Sequence, residues 1–250
     1  MSWQWLTNLF DKYERVARLY PAILTVAPIV WSVLALFPDV TKSFPSTLST
    51  LVAVAVALYL MSSIARFLGG LAEKRLLARW GSWPTTIVLR HQDSTFDQFT
   101  KARYHRALEK LSGLAAPTPA EEHADAKRAD DFYRSSTIKL KDGPAARANA
   151  LVLEENISYG FRRNLYGLRP VALLVAFLSA ALTGALWWLG LPEKASWPVI
   201  LNSAVQYPHL PILVLSDVSY AGVLALVVRE PFVRQAGDQY ARALLATLDS

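Results

Sequence analysis

The sequence predicts an all-α membrane protein: four transmembrane helices arranged as two hairpins, with a mainly helical cytosolic insert between them. Three observations predict it. Four apolar runs, residues 21–37, 48–65, 171–189 and 210–228, each approach the roughly 20 residues that a ~30 Å hydrocarbon core requires. Asp217 is the only charged residue inside them, and none carries the charged stripe of an amphipathic soluble helix. The positive charge is segregated as well, since 24 of the 26 Lys and Arg fall in residues 1–20, 66–169 and 229–250. The positive-inside rule then assigns both termini and the central region to the cytosol, and an even number of crossings returns both ends to the same side.

Composition narrows the class further. The net charge is +6 although only 18% of residues are charged. A cleaved signal peptide is not expected, because Asp11, Lys12, Glu14, Arg15 and Arg18 precede the first apolar run and no small-residue cleavage site follows it. The chain contains no cysteine, which excludes disulfides and thiolate metal sites.

The elements follow in order. Residues 1–20 read as an amphipathic helix in which Trp5, Leu6, Leu9, Phe10, Tyr13, Val16, Ala17 and Tyr20 recur at helical spacing. Two tryptophans on a basic helix suit the headgroup interface, and packing on the cytosolic domain is the alternative. Residues 21–65 form the first hairpin. The cytosolic domain, residues 66–169, opens with a polar helix from Leu71 to Arg79, broken at Gly81, Ser82 and Pro84. TTIVLR reads as a short strand. A helix from about Thr95 to Leu111 is capped by Ser94 or Thr95 and supported by an Asp97–Lys101 pair. Thr118 and Glu121 form a capping box for a helix carried to about Ser135. KLKDGP is a turn, and Pro144 opens a long helix reaching Arg169. Residues 170–228 form the second hairpin and residues 229–250 a cytosolic C-terminal helix. In the outer connection, residues 196–206 read as a short helix lying on the outer surface or re-entering the bilayer.

The junction EENISYGFRRNLYGLRP holds two glycines, two asparagines and three arginines at the foot of the third span. Leu153, Ile157, Phe161, Leu165 and Leu168 form a seam for a partner helix. A neighbouring face carries Asn149, Asn156, Gly160, Arg163 and Gly167. Each glycine costs about 1 kcal/mol in a helix interior, which is reasonable where another backbone approaches closely or the helix bends. Gly160, Gly167 and Arg169 are therefore candidate coupling residues between a cytosolic event and the span, and Arg162 and Arg163 candidate ligand contacts. Orientation of the span and contact with anionic lipid is the competing reading of these arginines.

The run ENxxYGFRRNxxGLxP, residues 155–170, with the stretch WGSWPTTIVLRHQDSTFDQFTKARYHRA around residues 80–107, resembles bacterial four-span membrane effectors of antiviral defence loci, of the Hailong type. The resemblance covers residues 70–170 and the four-span layout. It implies a homo-oligomeric ion channel in the bacterial inner membrane, controlled by a cytosolic nucleotide or oligonucleotide made by a nucleotidyltransferase encoded beside it, and causing growth arrest through depolarisation.

Candidate site residues are few. Phe99, Arg103, Arg106 and Lys110 fall on one helix face, an aromatic beside a row of cations that suits a short single-stranded nucleic acid; a solvated surface is the plainer alternative. His91 and Asp93 form an HxD pair without the spacing or second cluster of a metal site. No P-loop, GxGxxG or GxSxG motif is present, so no enzymatic activity and no cofactor is expected. Ser216, Asp217 and Ser219 are candidate pore-lining residues, because intramembrane carboxylates face a bundle interior or a wet cavity. A ring of Asp217 from several copies would attract cations; an Asp217 hydrogen-bonded between helices is the other outcome. A non-conducting membrane scaffold that docks a cytosolic partner protein is the alternative function. A small transporter fits less well, because the two hairpins do not resemble each other.

Overall fold

The computed structural model describes residues 11–37, 39, 48–190, 203 and 205–249. Among the described residues the main helices follow in order: α1 (Glu14–Leu36), α2 (Leu48–Trp80), α3 (Pro84–Ile87), α4 (Gln98–Ser112), α5 (Pro119–Ala124), α6 (Ala126–Asp142), α7 (Pro144–Ala148), α8 (Ala150–Leu189), α9 (His209–Val227) and α10 (Glu230–Ala246), with a 3-10 turn at Thr247–Asp249. Among the described residues there is no strand. Helices α1, α2, α8 and α9 are long and apolar enough to cross a membrane. Most of the outer connection and the first ten residues, including Trp5, Leu6, Leu9 and Phe10, lie outside the described residues.

The chain divides into two units, residues 1–70 with 164–229, and residues 71–163 with 230–250. The C-terminal helix falls in the same unit as residues 71–163. Helices α2 and α8 each contain residues of both units and are continuous through the division. At 40 residues, α8 is about 60 Å long, twice a ~30 Å hydrocarbon core.

The apolar unit is built for an apolar solvent. Its interior holds small and polar side chains, with Ala17, Ala65, Ala172, Ser179, Thr183 and Asp217 all buried. Many of its large side chains, including Leu174, Phe177, Leu182, Ile212 and Leu215, are exposed, while Leu19, Leu168, Leu213 and Leu224 are buried. Helix α1 is the hub. It carries two prolines, Pro21 and Pro28, and neither has an N–H to return to the carbonyl four residues back, Ala17 and Leu24. Helix α1 also opens on a π turn, Glu14–Leu19, immediately before Pro21. Both carbonyls receive a side-chain donor from another helix: Asn164 Nδ2 of α8 donates to Ala17 O at 2.6 Å, and the Tyr220 hydroxyl of α9 to Leu24 O. Neighbouring side chains are how prolines are tolerated where no water can substitute. Ser179 of α8 adds bonds to Pro28 O at 3.2 Å and Ser32 Oγ at 2.9 Å.

Helices α2 and α8 touch backbone to backbone. A Cβ on Gly167 would lie 2.6 Å from Leu68 O, and one on Gly69 would lie 1.9 Å from Asn164 Oδ1. Ala22, Ala65 and Leu168 close the same contact.

The second unit packs α4, α6 and α10 around Tyr104, Leu108, Tyr133, Leu140, Leu244 and Leu245. Five local expectations are corrected there. KLKDGP is helical through Asp142, where α6 ends at Gly143. TTIVLR is helical at its start, because Pro84 occupies the first turn and the N–H groups of Thr86 and Ile87 both return to Trp83 O. The other three corrections share one cause, an Asx side chain that captures backbone N–H groups and sets a helix start. Asp97, and not Ser94 or Thr95, caps α4 through Phe99 N and Thr100 N, both at 2.9 Å. Asp125 ends α5 and caps α6 through Arg128 N at 3.0 Å, splitting the helix expected to reach Ser135. Asn149 stops the helix opened by Pro144 and starts α8, bonding Leu151 N and Val152 N. The Thr118–Glu121 capping box is present as expected. Leu153 is exposed, so the seam on α8 comprises Ile157, Leu165 and Leu168, with Phe161 half-buried.

Gly167→Ala should separate the α2–α8 contact and lower stability by about 1–3 kcal/mol, because the obstacle is backbone. Gly222→Ala, where nothing lies within 4 Å of the added Cβ, should be neutral or stabilising by up to ~1 kcal/mol. Denaturation of the two variants in mixed micelles checks this, and equal effects would contradict it.

Candidate ligand surface and the polar groups beneath it

Helix α4 presents Phe99, Arg103, Arg106 and Lys110 to solvent along one side. Phe99 is 74% exposed, the most open large apolar side chain of its unit. Arg103 is engaged by Asp249, with bonds of 2.7 and 3.1 Å to the two carboxylate oxygens, and lies over the Tyr104 ring. Arg106 donates to Ala102 O and lines a groove of about 470 Å³.

The floor of that groove is a self-satisfied polar network. Lys101, expected to pair with Asp97, is buried and donates its ammonium to the carbonyls of Arg90, His91 and Asp93. Burial lowers its pKa, and the charges of Asp93 and Glu122 oppose that. His105 Nε2 lies 2.8 Å from Leu89 O, and His91 Nε2 lies 2.8 Å from Pro117 O. A carbonyl only accepts, so both rings carry a proton on Nε2. The Glu122 carboxylate accepts from His91 N at 3.0 and 3.1 Å and from the Tyr133 hydroxyl at 2.8 Å. Burial, followed by that hydrogen bond, raises the Tyr133 pKa. The Arg90 guanidinium meets Asp130 at 2.9 and 2.6 Å, and this bond raises its pKa. These groups fix the loop after α3 against α4, α5 and α6. Among the described residues, no group of three His, Asp or Glu could hold a metal ion.

The six expected ligand contacts fall in two places. Arg162 and Arg163 are not on the α4 face. Arg162 donates to Phe232 O and Gln235 Oε1 and lies 4.7 Å over the Phe232 ring. Arg163 pairs with Glu73 of α2 at 3.1 and 3.2 Å, and Tyr159 donates to the same carboxylate at 2.9 Å. Both arginines are thus occupied inside their unit.

The coupling and pore candidates lie as follows. Gly160 is buried, Gly167 meets the α2 backbone, and Arg169 donates to Ala225 O of α9 at 3.0 Å. Asp217 is fully buried and accepts from Trp31 Nε1 at 2.7 Å. Its side chain lies inside its own unit and joins α9 to α1. Ser219 is exposed, and Ser216 is half-buried and bonded to Leu213 O. The three residues therefore do not share a face.

No local pattern in the sequence marks Glu73 or Trp31. Asn164 carried the one available signal, a polar amide on the buried side of an apolar seam. No family model matches the chain, and neither the curated proteins nor the solved structures contain a match.

Burial lowers the His105 pKa below its ordinary value of 6.5. Between the folded value and 6.5 the unfolded chain binds a proton that the folded chain refuses, so this stability is complete above 6.5 and is lost as pH falls. Thermal midpoints should decrease from pH ~7.5 to ~5.5, and His105→Gln should flatten that decrease. Asp238, whose pKa burial raises, contributes the opposite slope in both proteins. An unchanged slope in the variant would contradict the assignment.

Proposed function

We propose that this chain is a ligand-controlled membrane effector. Several copies form an ion-conducting assembly in the bacterial inner membrane, with both termini and the inserted unit in the cytoplasm. An anionic nucleotide or short single-stranded nucleic acid, the product of a nucleotidyltransferase partner, binds the exposed face of α4 and sets the conducting state. Depolarisation then arrests growth during antiviral defence.

The observation that carries this reading is the continuity of α2 and α8 from apolar to polar residues. On α8 two adjacent residues have different attachments: Arg163 holds Glu73 and Asn164 holds Ala17 O. A turn or shift of α8 driven by ligand would load both bonds together. The charge pattern supports a cytoplasmic insert, and the resemblance of residues 70–170 to four-span defence effectors supports the ligand class. A conducting assembly needs several copies, because four helices enclose too small a space on their own.

One observation favours a non-conducting scaffold that docks a cytoplasmic partner protein instead. Asp217 is turned into its own bundle, so copies would not present an acidic ring to a shared pore.

Membrane potential in cells expressing the protein, with and without its genomic neighbour, decides between the two. The channel reading expects depolarisation in one of these conditions, with control abolished by combined Arg103→Glu, Arg106→Glu and Lys110→Glu. A constant potential in both conditions, with a protein partner co-purifying, would establish the scaffold.

A further inference from the structure

A second pocket in the inserted unit has a different chemistry. Helix α6 places Arg134, Thr137, Ile138 and Lys141 on one face at i, i+3, i+4 and i+7. Trp83, just before α3, and Tyr240 and Leu244 of α10 complete the lining. The pocket has a volume of about 150 Å³, the size of an apolar cavity that holds one benzene ring.

No acidic residue lines it. Arg134 lies 6.0 Å over the Trp83 ring, and among the described residues neither Arg134 nor Lys141 is in an ion pair. Both cations are exposed at the rim, and Ile138 between them is 52% exposed. An apolar side chain left open between two unpaired cations, in a pocket also lined by two aromatic residues, is complementary to a flat apolar body bearing one anionic group.

We propose that this pocket binds a single-ring aromatic organic anion. The ring lies against Trp83 and Tyr240, and a phosphate or carboxylate is held by Arg134 and Lys141. The site is separate from the α4 face and does not depend on the channel reading.

The test is calorimetric titration of the full chain in non-ionic detergent with phenyl phosphate, and with inorganic phosphate and benzyl alcohol as partial ligands. Saturable binding of phenyl phosphate, tighter than of either part, is expected. Arg134→Ala removes a charge-assisted bond and should weaken it about tenfold or more. Ile138→Trp, at an exposed position that leaves the core intact, should fill the pocket and abolish binding even if Arg134→Ala folds poorly. The triple charge reversal on α4 should leave it unchanged, so the failure of one site is distinguishable from failure of the other. No saturable binding would overturn the proposal. So would inorganic phosphate or benzyl alcohol binding as tightly as phenyl phosphate, or binding unaffected by Ile138→Trp.

Discussion

The arrangement of the apolar unit depends on one constraint: a helix in hydrocarbon must satisfy every backbone carbonyl from within the protein. Helix α1 breaks its own hydrogen-bond ladder twice, at Pro21 and Pro28, and the open carbonyls of Ala17 and Leu24 are met by Asn164 and Tyr220. An apolar side chain at either position would leave a polar group in a solvent that cannot compensate it. These bonds select which helices neighbour α1, and on which face. Trp31 with Asp217, and Ser32 with Ser179, extend the same pairing one to two turns along. Lipid supplies little preference between apolar surfaces, so such polar contacts and close small-residue packing define the association.

The contact between α2 and α8 supplies the second half of that principle. Gly69 and Gly167 bring two backbones together, and Asn164, which would collide with any larger residue at position 69, lies at the same crossing. One amide side chain therefore meets α2 and fills the carbonyl that Pro21 leaves open on α1. Its neighbour Arg163 faces Glu73. The two bonds arise from consecutive residues of one helix, and the proposed passage of ligand occupancy to the membrane helices relies on that adjacency.

Much of this was legible in the sequence, for reasons that differ by residue. The four spans are legible because hydrophobic run length is a one-dimensional property. The capping box at Thr118 is legible because its partners are three residues apart. The i, i+4, i+7 spacing of Phe99, Arg103 and Arg106 likewise put them on one exposed face of α4. Helix starts at Asp97, Asp125 and Asn149 are not legible, because an Asx residue mid-pattern continues a helix or restarts it, and only its side-chain direction decides. The run TTIVLR has strand-like β-branched residues, but Pro84 fixes a helical first turn that local propensity underweights. Pairs such as Asn164 with Ala17, Arg163 with Glu73 and Trp31 with Asp217 join residues 90 to 186 positions apart. No local pattern announces them. The Trp83 pocket was equally hidden, being assembled from three separate segments.

The most direct test of the central claim is a double-mutant cycle on Pro28 and Tyr220 by denaturation in mixed micelles. In the natural chain Tyr220→Phe removes the donor to Leu24 O and should cost about 0.6–1.7 kcal/mol, the range for polar contacts in membrane helices. Pro28→Ala restores a backbone N–H for the same carbonyl, so Tyr220→Phe in that background should cost less than half as much. An equal cost in both backgrounds would show that Tyr220 does not serve the carbonyl opened by Pro28, and the account of how α1 is held would fail.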